Sequence, residues 1–252
     1  MATGEHDGVP FPDPPEEARR LIASARAEGT LLRALGGVGV RLRCPSAESP
    51  PLARTYGDVD LASTSAQRDA VVGLFEALGY VADREFNTLH GHQRLIFWDP
   101  VNERKSDVFI DSVTMCHRLD LRDRLALDEE TLTPADLLLL KLQVVDTTDK
   151  DLLDAVALLH DHAPGESLDV AYVARLLGRD WGWWRTATMV LARVHDFAGA
   201  LEGFAGAELI SDRVRALSAA IETEPKSRGW RLRARIGERV RWHDTPEEVE
   251  PG

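Results

Sequence analysis

The chain has 252 residues, 30 of them Lys or Arg and 42 Asp or Glu, for a formal net charge of −12. That length allows one large core or two smaller ones. The acidic balance excludes long-range attraction of nucleic acid, so an RNA or DNA partner would have to meet a local basic patch. Cys44 and Cys116 are too few for a disulfide framework. No apolar run nears the roughly 20 residues that span a bilayer, and the N-terminus lacks an apolar signal core. The expectation is a cytoplasmic protein with no membrane role.

Residues 1–14 are rich in Gly, Pro and Asp and read as a flexible leader. From Pro15 to Gly29 the pattern is helical, with Glu16 and Glu17 in the first turn where the helix dipole favours acids. Leu31–Leu35 reads as a strand or a short approach to Gly36-Gly37, and the proline-rich run from Cys44 to Pro51 as a loop. A strand at Gly57 to Leu61 precedes a helix over Ala66–Leu78, where Val71, Val72, Phe75 and Leu78 recur at helical spacing and Gly79 suits the cap. Arg94–Trp98 and Asp107–Val113 flank the turn sequence Asp99-Pro100-Val101-Asn102 and should pair antiparallel. Beyond Leu132 the pattern is helical: Pro134–Val145, Asp149–His162, Asp169–Leu177, Trp183–Phe197 and Ser211–Thr223. The expected organisation is a leader (1–14), an α+β domain (15–127), a helical domain (128–224) and a tail (225–252), basic and then acidic. From Lys226 to Arg241 that tail carries seven basic residues against one acid, Glu238. It reads either as a solvated helix end or as a nucleic-acid contact.

Gly57-Asp58-Val59-Asp60-Leu61 carries the sharpest chemistry. Side chains alternate along a strand, so Asp58 and Asp60 share one face. Two carboxylates side by side cost stability unless a cation sits between them, which points to a divalent metal site. A third carboxylate is available on the next acid-bearing strand, Ser106-Asp107-Val108-Phe109-Ile110-Asp111. Asp107 is favoured over Asp111 because it lies nearer the strand start.

Gly36-Gly37, then Arg54-Thr55-Tyr56-Gly57-Asp58-Val59-Asp60-Leu61, then Asp107, resembles the nucleotidyltransferase superfamily that shares its fold with DNA polymerase β. Within it the chain looks closest to the AbiEii-type, or minimal, nucleotidyltransferases, some of which are toxins of toxin–antitoxin pairs. Lys141 and Lys150-Asp151 match that subgroup's helical Lys and later Lys-Asp element, and the resemblance covers about residues 30 to 160. It implies an α+β fold, with a mixed-sheet nucleotidyltransferase domain followed by a C-terminal helical domain. The implied activity is transfer of a nucleoside monophosphate from a nucleoside triphosphate to a hydroxyl on RNA such as a tRNA 3′ end, on a protein or on a small molecule. Two Mg²⁺ ions on Asp58, Asp60 and Asp107 are implied, with one carboxylate helping to deprotonate the acceptor. Gly36, Gly37, Arg54, Lys141 and Asp151 would lie around the nucleotide. A toxin of this kind would have an antitoxin as partner. The rival readings are a catalytically silent module that binds nucleotide or a partner, and a helical adaptor with a β scaffold.

Several of these residues have a plainer reading. The glycines could serve packing, and Arg54 could be a surface charge. Lys141, inside the apolar run Leu137 to Val145, must find a carboxylate, a phosphate or water, or snorkel to solvent. Asp151 follows Thr148 at capping-box spacing. His90-Gly91-His92 and His160-Asp161-His162 fit no zinc spacing. Cys116 and His117 are adjacent and point apart on a strand. Trp181-Gly182-Trp183-Trp184 could stack a base or fill a core.

Overall fold

The computed structural model describes residues 8–245; the first part of the expected leader, 1–7, and the acidic end of the tail, 246–252, lie outside the described residues. The chain is α+β with a mixed sheet. It divides into two compact units: the first holds the chain up to Leu42, Thr55–Val113 and Asp120–Leu132, and the second holds Arg43–Arg54, Thr114–Leu119 and the chain from Thr133 on.

The first unit opens with helix α1 (Pro14–Ala27), whose N-cap is the Asp13 side chain and whose first turn carries Glu16 and Glu17. Short strand β1 (Arg33–Ala34) leads into helix α2 (Gly36–Arg43). Strand β2 (Val59–Ser63), helix α3 (Arg68–Ala77), strand β3 (Val81–Ala82) and helix α4 (Arg84–His90) follow, then strands β4 (Arg94–Asp99) and β5 (Arg104–Ile110). The sheet order is β1-β2-β5-β4-β3, antiparallel except for the parallel pair β2 and β5.

Alternation sorts the two faces of this sheet. Val59, Leu61, Leu95, Phe97, Val108 and Ile110 turn to one side, where Leu21 and Ile22 of α1 and Val71, Leu74 and Phe75 of α3 complete the core. Phe75 stacks on Phe97 with ring centroids 4.2 Å apart. The other face carries Asp60 on β2, Lys105, Asp107 and Phe109 on β5, and Arg94, Ile96 and Trp98 on β4.

The expected hairpin forms. Asp99 Oδ1 accepts from the N–H groups of Val101 and Asn102 at 3.0 and 3.1 Å, which folds the turn. Strand β5 ends at Ile110 rather than continuing to Val113, because Asp111 adopts φ +60°, off the extended path. The end of the expected leader is held in place: Arg104 donates to the carbonyls of Phe11 and Pro12 at 2.8 and 3.1 Å, and the N–H of Phe11 donates to Glu17 Oε2 at 2.8 Å. Strands β6 (Ser112–Thr114) and β7 (Arg118–Asp120) make a separate two-stranded sheet.

The second unit is helical: α5 (Pro134–Leu142), α6 (Asp149–Asp161), α7 (Val170–Leu177), α8 (Trp181–Ala200), α9 (Ala207–Thr223) and α10 (Arg228–Ile236). Side chains of Thr133, Thr148, Asp169, Asp180 and Ser227 cap five of them, so the helix starts follow local chemistry. Helix α5 stops three residues before the expected Val145, and α8 begins at Trp181. The basic stretch forms α10, docked by Trp230 against Trp184 at 5.2 Å and by Arg233 over the Trp181 ring at 4.8 Å. Its Arg228, Arg231 and Arg235 are exposed. Among the described residues, no helix is long and apolar enough to cross a membrane.

Candidate functional site

Parallel pairing of β2 with β5 puts Asp60 directly beside Asp107. Adjacent strands lie about 4.8 Å apart, so the two carboxylates are neighbours on the same face. The chain reaches this point by a tight entry: Leu35 N–H donates to the Asp60 carbonyl at 3.0 Å, and Gly36 then turns the backbone at φ +62° into α2. A Cβ on Gly36 would sit 2.4 Å from Asp60 Oδ2. Only glycine combines that dihedral with that approach. Gly37 follows inside α2. Asp58, just before β2, is exposed, Asp60 is half-buried, and Asp107 is buried at 5% exposure.

The two oxygens of Asp107 differ. Oδ2 receives Arg94 at 2.6 Å and lies 3.5 Å from Lys105 Nζ. Oδ1 is buried and has no hydrogen-bond partner. Arg94 packs over the Phe109 ring at 5.0 Å. An orphaned buried carboxylate oxygen costs on the order of 1–3 kcal/mol, and native proteins keep such groups where a ligand or ion completes them. Asp111 is engaged elsewhere: its Oδ1 accepts from Ser65 N–H at 3.0 Å, and its carbonyl accepts from Leu121 N–H at 2.8 Å.

For a divalent cation the donor set fits in part. Oδ1 of Asp107 and the Asp60 carboxylate are hard oxygen donors on adjacent strands, and the bare Gly36 backbone lets the Asp60 carboxylate lie where a Cβ would clash with it. Among the described residues, however, no three His, Cys, Asp or Glu side chains stand together closely enough to hold an ion. Asp58 would have to turn in to complete one.

Arg54, Lys141 and Asp151 come together in the second unit, around a residue the sequence reading passed over. Asp154, 2% exposed, receives both Nε and a terminal nitrogen of Arg54 at 2.8 Å, a bidentate pair. Lys141 Nζ lies 2.8 Å from Asp154 Oδ2 and 3.0 Å from Asp151 Oδ1. Burial alone would lower the Lys141 pKa, but the Asp154 and Asp151 carboxylates outweigh it and hold the ammonium above the ordinary lysine value. Burial alone would raise Asp151; Lys141 and the Thr148 bonds outweigh that and hold it below the usual carboxylate range. Asp151 also closes a capping box with Thr148. Two cations and two anions thus answer one another.

The remaining candidates are structural. Trp181 and Trp183 are core residues at 6% and 2% exposure. His117 Nε2 bonds Thr186 Oγ1 at 2.9 Å, and burial pushes the Cys116 thiol up, away from nucleophilic range. His160 pairs with its neighbour Asp161 at 2.7 Å.

Three residues at these two sites escaped the sequence reading. Arg94 is an ordinary strand cation until the register sets it beside Asp107, while Lys105 carried a signal, standing two residues before Asp107 on the same strand and so on its face. Asp154 carried a signal: it is an acid on the apolar side of α6, one turn beyond Asp151 and among Leu152, Ala155 and Leu158.

No family model matches the chain, and no curated protein does. Among solved structures it is similar to an antigenic nucleotidyltransferase-like protein from Paracoccidioides brasiliensis, at 14% identity and a TM-score of 0.43, over 87% of this chain and 96% of that one.

Proposed function

We propose that the chain is a Mg²⁺-dependent nucleotidyltransferase that moves a nucleoside monophosphate from a nucleoside triphosphate to a hydroxyl acceptor. The observation that carries this reading is the lateral pairing of Asp60 with Asp107, with the Gly36 backbone pressed against the Asp60 carboxylate. Asp60, Asp107 through Oδ1, and Asp58 would hold the metal. Bound there, Mg²⁺ supplies neutralisation of phosphate charge and activation of the acceptor hydroxyl. Gly36 and Gly37 would lie against the phosphates, where the absence of Cβ and the N-terminal end of α2 suit an anion. Lys105 and Arg94 hold Asp107 in orientation and bring positive charge to the same face. A phosphate contact by Lys141 would have to replace a carboxylate at 2.8 or 3.0 Å, so its part in this reading, with Arg54 and Asp151, is to fasten α5 to α6.

The acceptor is RNA, a protein or a small molecule. The exposed guanidinium groups of α10 supply the local basic patch that an RNA acceptor would require. A toxin role is the narrower proposal. Growth arrest on expression, relieved by Asp60→Ala, would support it, and equal growth of both strains would end it.

One observation favours a second reading. Arg94 and Lys105 already balance the charge of Asp107 without a metal, as a catalytically silent nucleotide-binding module would require. Radiolabel transfer from the α-phosphate of each nucleoside triphosphate into RNA, protein and small-molecule pools decides between the two. The transferase reading expects Mg²⁺-dependent label in one pool, lowered roughly 10²-fold or more by Asp60→Asn. Nucleotide binding without transfer to any pool would establish the silent module.

A further inference from the structure

We infer that Trp98 is the platform on which the base of the bound nucleoside triphosphate stacks; this rests on the nucleotide-binding reading above. Register aligns Asp60, Asp107 and Ile96 in one row across the sheet, and Lys105, Trp98 and Val81 in the next. Continuing the register one residue back from Val59, which pairs with Ser106, would bring Asp58 into that second row beside Lys105. Read across the sheet, the row is carboxylate, ammonium, indole and aliphatic side chain. From the Asp58 position to Trp98 is two strand spacings, about 10 Å. A nucleoside triphosphate presents the matching order: the metal-binding β- and γ-phosphates, the anionic α-phosphate and then, across the ribose, a flat aromatic base.

The state of Trp98 supports this assignment. It is 42% exposed, and its cross-strand neighbour Val81 is 57% exposed, whereas Leu95, Ile96 and Phe97 on the same strand are buried. Trp181, Trp183, Trp184, Trp230 and Trp242 each pack against another ring. Among the described residues, Trp98 has no such ring contact. An indole face left open on the carboxylate side of the sheet, next to a cation, is a stacking surface that accepts any base.

The test is equilibrium binding, with Mg²⁺, of the tightest-binding nucleoside triphosphate and of inorganic triphosphate, a probe that keeps the phosphates and lacks the base. Wild type should bind the nucleotide more tightly than the base-free probe. Trp98→Ala should weaken nucleotide binding about tenfold and leave triphosphate binding unchanged, while Trp98→Phe should recover most of the loss. Equal nucleotide affinity in wild type and Trp98→Ala overturns the stacking role alone. Equal losses for both probes also overturn it, since they mark a structural effect. A wild-type protein that binds neither probe overturns the nucleotide-binding reading itself, and the stacking role falls with it.

Discussion

The two charged clusters of this protein use the same residue types to opposite ends. Around Asp154 every charge has a partner: Arg54 is bidentate, Lys141 sits between two carboxylates, and Asp151 also serves a helix cap. Around Asp107 the account does not close. One carboxylate oxygen is buried without a donor, Asp58 is exposed, and the Asp60 carboxylate packs against the bare Gly36 backbone. Internally saturated charges hold a fold together; a carboxylate with one unmet buried oxygen in a rigid frame can take up a ligand. Lys141, the one cation in a leucine-rich helix, looked functional in the sequence, yet its charge is met by Asp151 and Asp154.

Removing Asp154 gives the strongest test of that contrast. Asp154→Ala leaves Arg54 with no carboxylate at the bidentate site and Lys141 with one partner in place of two, in surroundings where each is mostly buried. Breaking a buried ion network costs about 3–5 kcal/mol, so denaturant unfolding should show a loss of that size. Asp60→Asn should cost about 1 kcal/mol or less while removing transfer. If the two effects are exchanged, with Asp154→Ala stable but inactive, the assignment of structural and functional clusters is wrong.

Gly36→Ala probes the open cluster with a smaller effect. Alanine at φ +62° costs about 1–2 kcal/mol, and its Cβ would push against Asp60 Oδ2 from 2.4 Å. Activity should therefore fall further than the stability loss explains, with binding of Mg²⁺ and nucleotide weakened in a protein that remains folded. Unchanged nucleotide binding in a folded Gly36→Ala protein would detach the glycine from the site.

Much of the local structure was legible because local chemistry sets it. Thr148 announces a helix start and Asp99 announces the hairpin turn. The failures are non-local or depend on one dihedral. Asp111 looked equivalent to Asp107 at a spacing of four, but its positive φ takes it off the strand. Arg94 meets Asp107 only through strand register, which a single sequence does not display, whereas Lys105, two residues before Asp107 on β5, was open to the same alternation argument and was passed over. Asp154 meets Arg54 across a separation of 100 residues. The basic run was read as charge alone, although Trp230 and Arg233 within it dock the helix onto tryptophans at the start of α8.

The remaining effect expected here is a pH signature of the saturated interior. His117 stacks on Trp183 at 5.7 Å and bonds Thr186, and its burial pushes its pKa down to about 4 from an ordinary 6.5; Asp180 and Asp244 favour the charged form, and His243 opposes it. The folded state therefore holds this imidazole neutral where the unfolded chain would protonate it. Its contribution is fully present above pH 6.5 and is lost as pH falls towards 4, at about 1.4 kcal/mol per pH unit at most. Asp151 acts at a lower pH: its folded pKa lies below 3.8, so its contribution is lost only as pH falls below that value. Lys141 acts at the other end, its contribution lost only as pH rises above 10.5. Denaturant midpoints measured between pH 7 and 4 should therefore decline through His117 before the Asp154 network yields. His117→Asn should flatten that decline while lowering the plateau. A decline that survives the substitution would mean that a different buried group sets the acid limb.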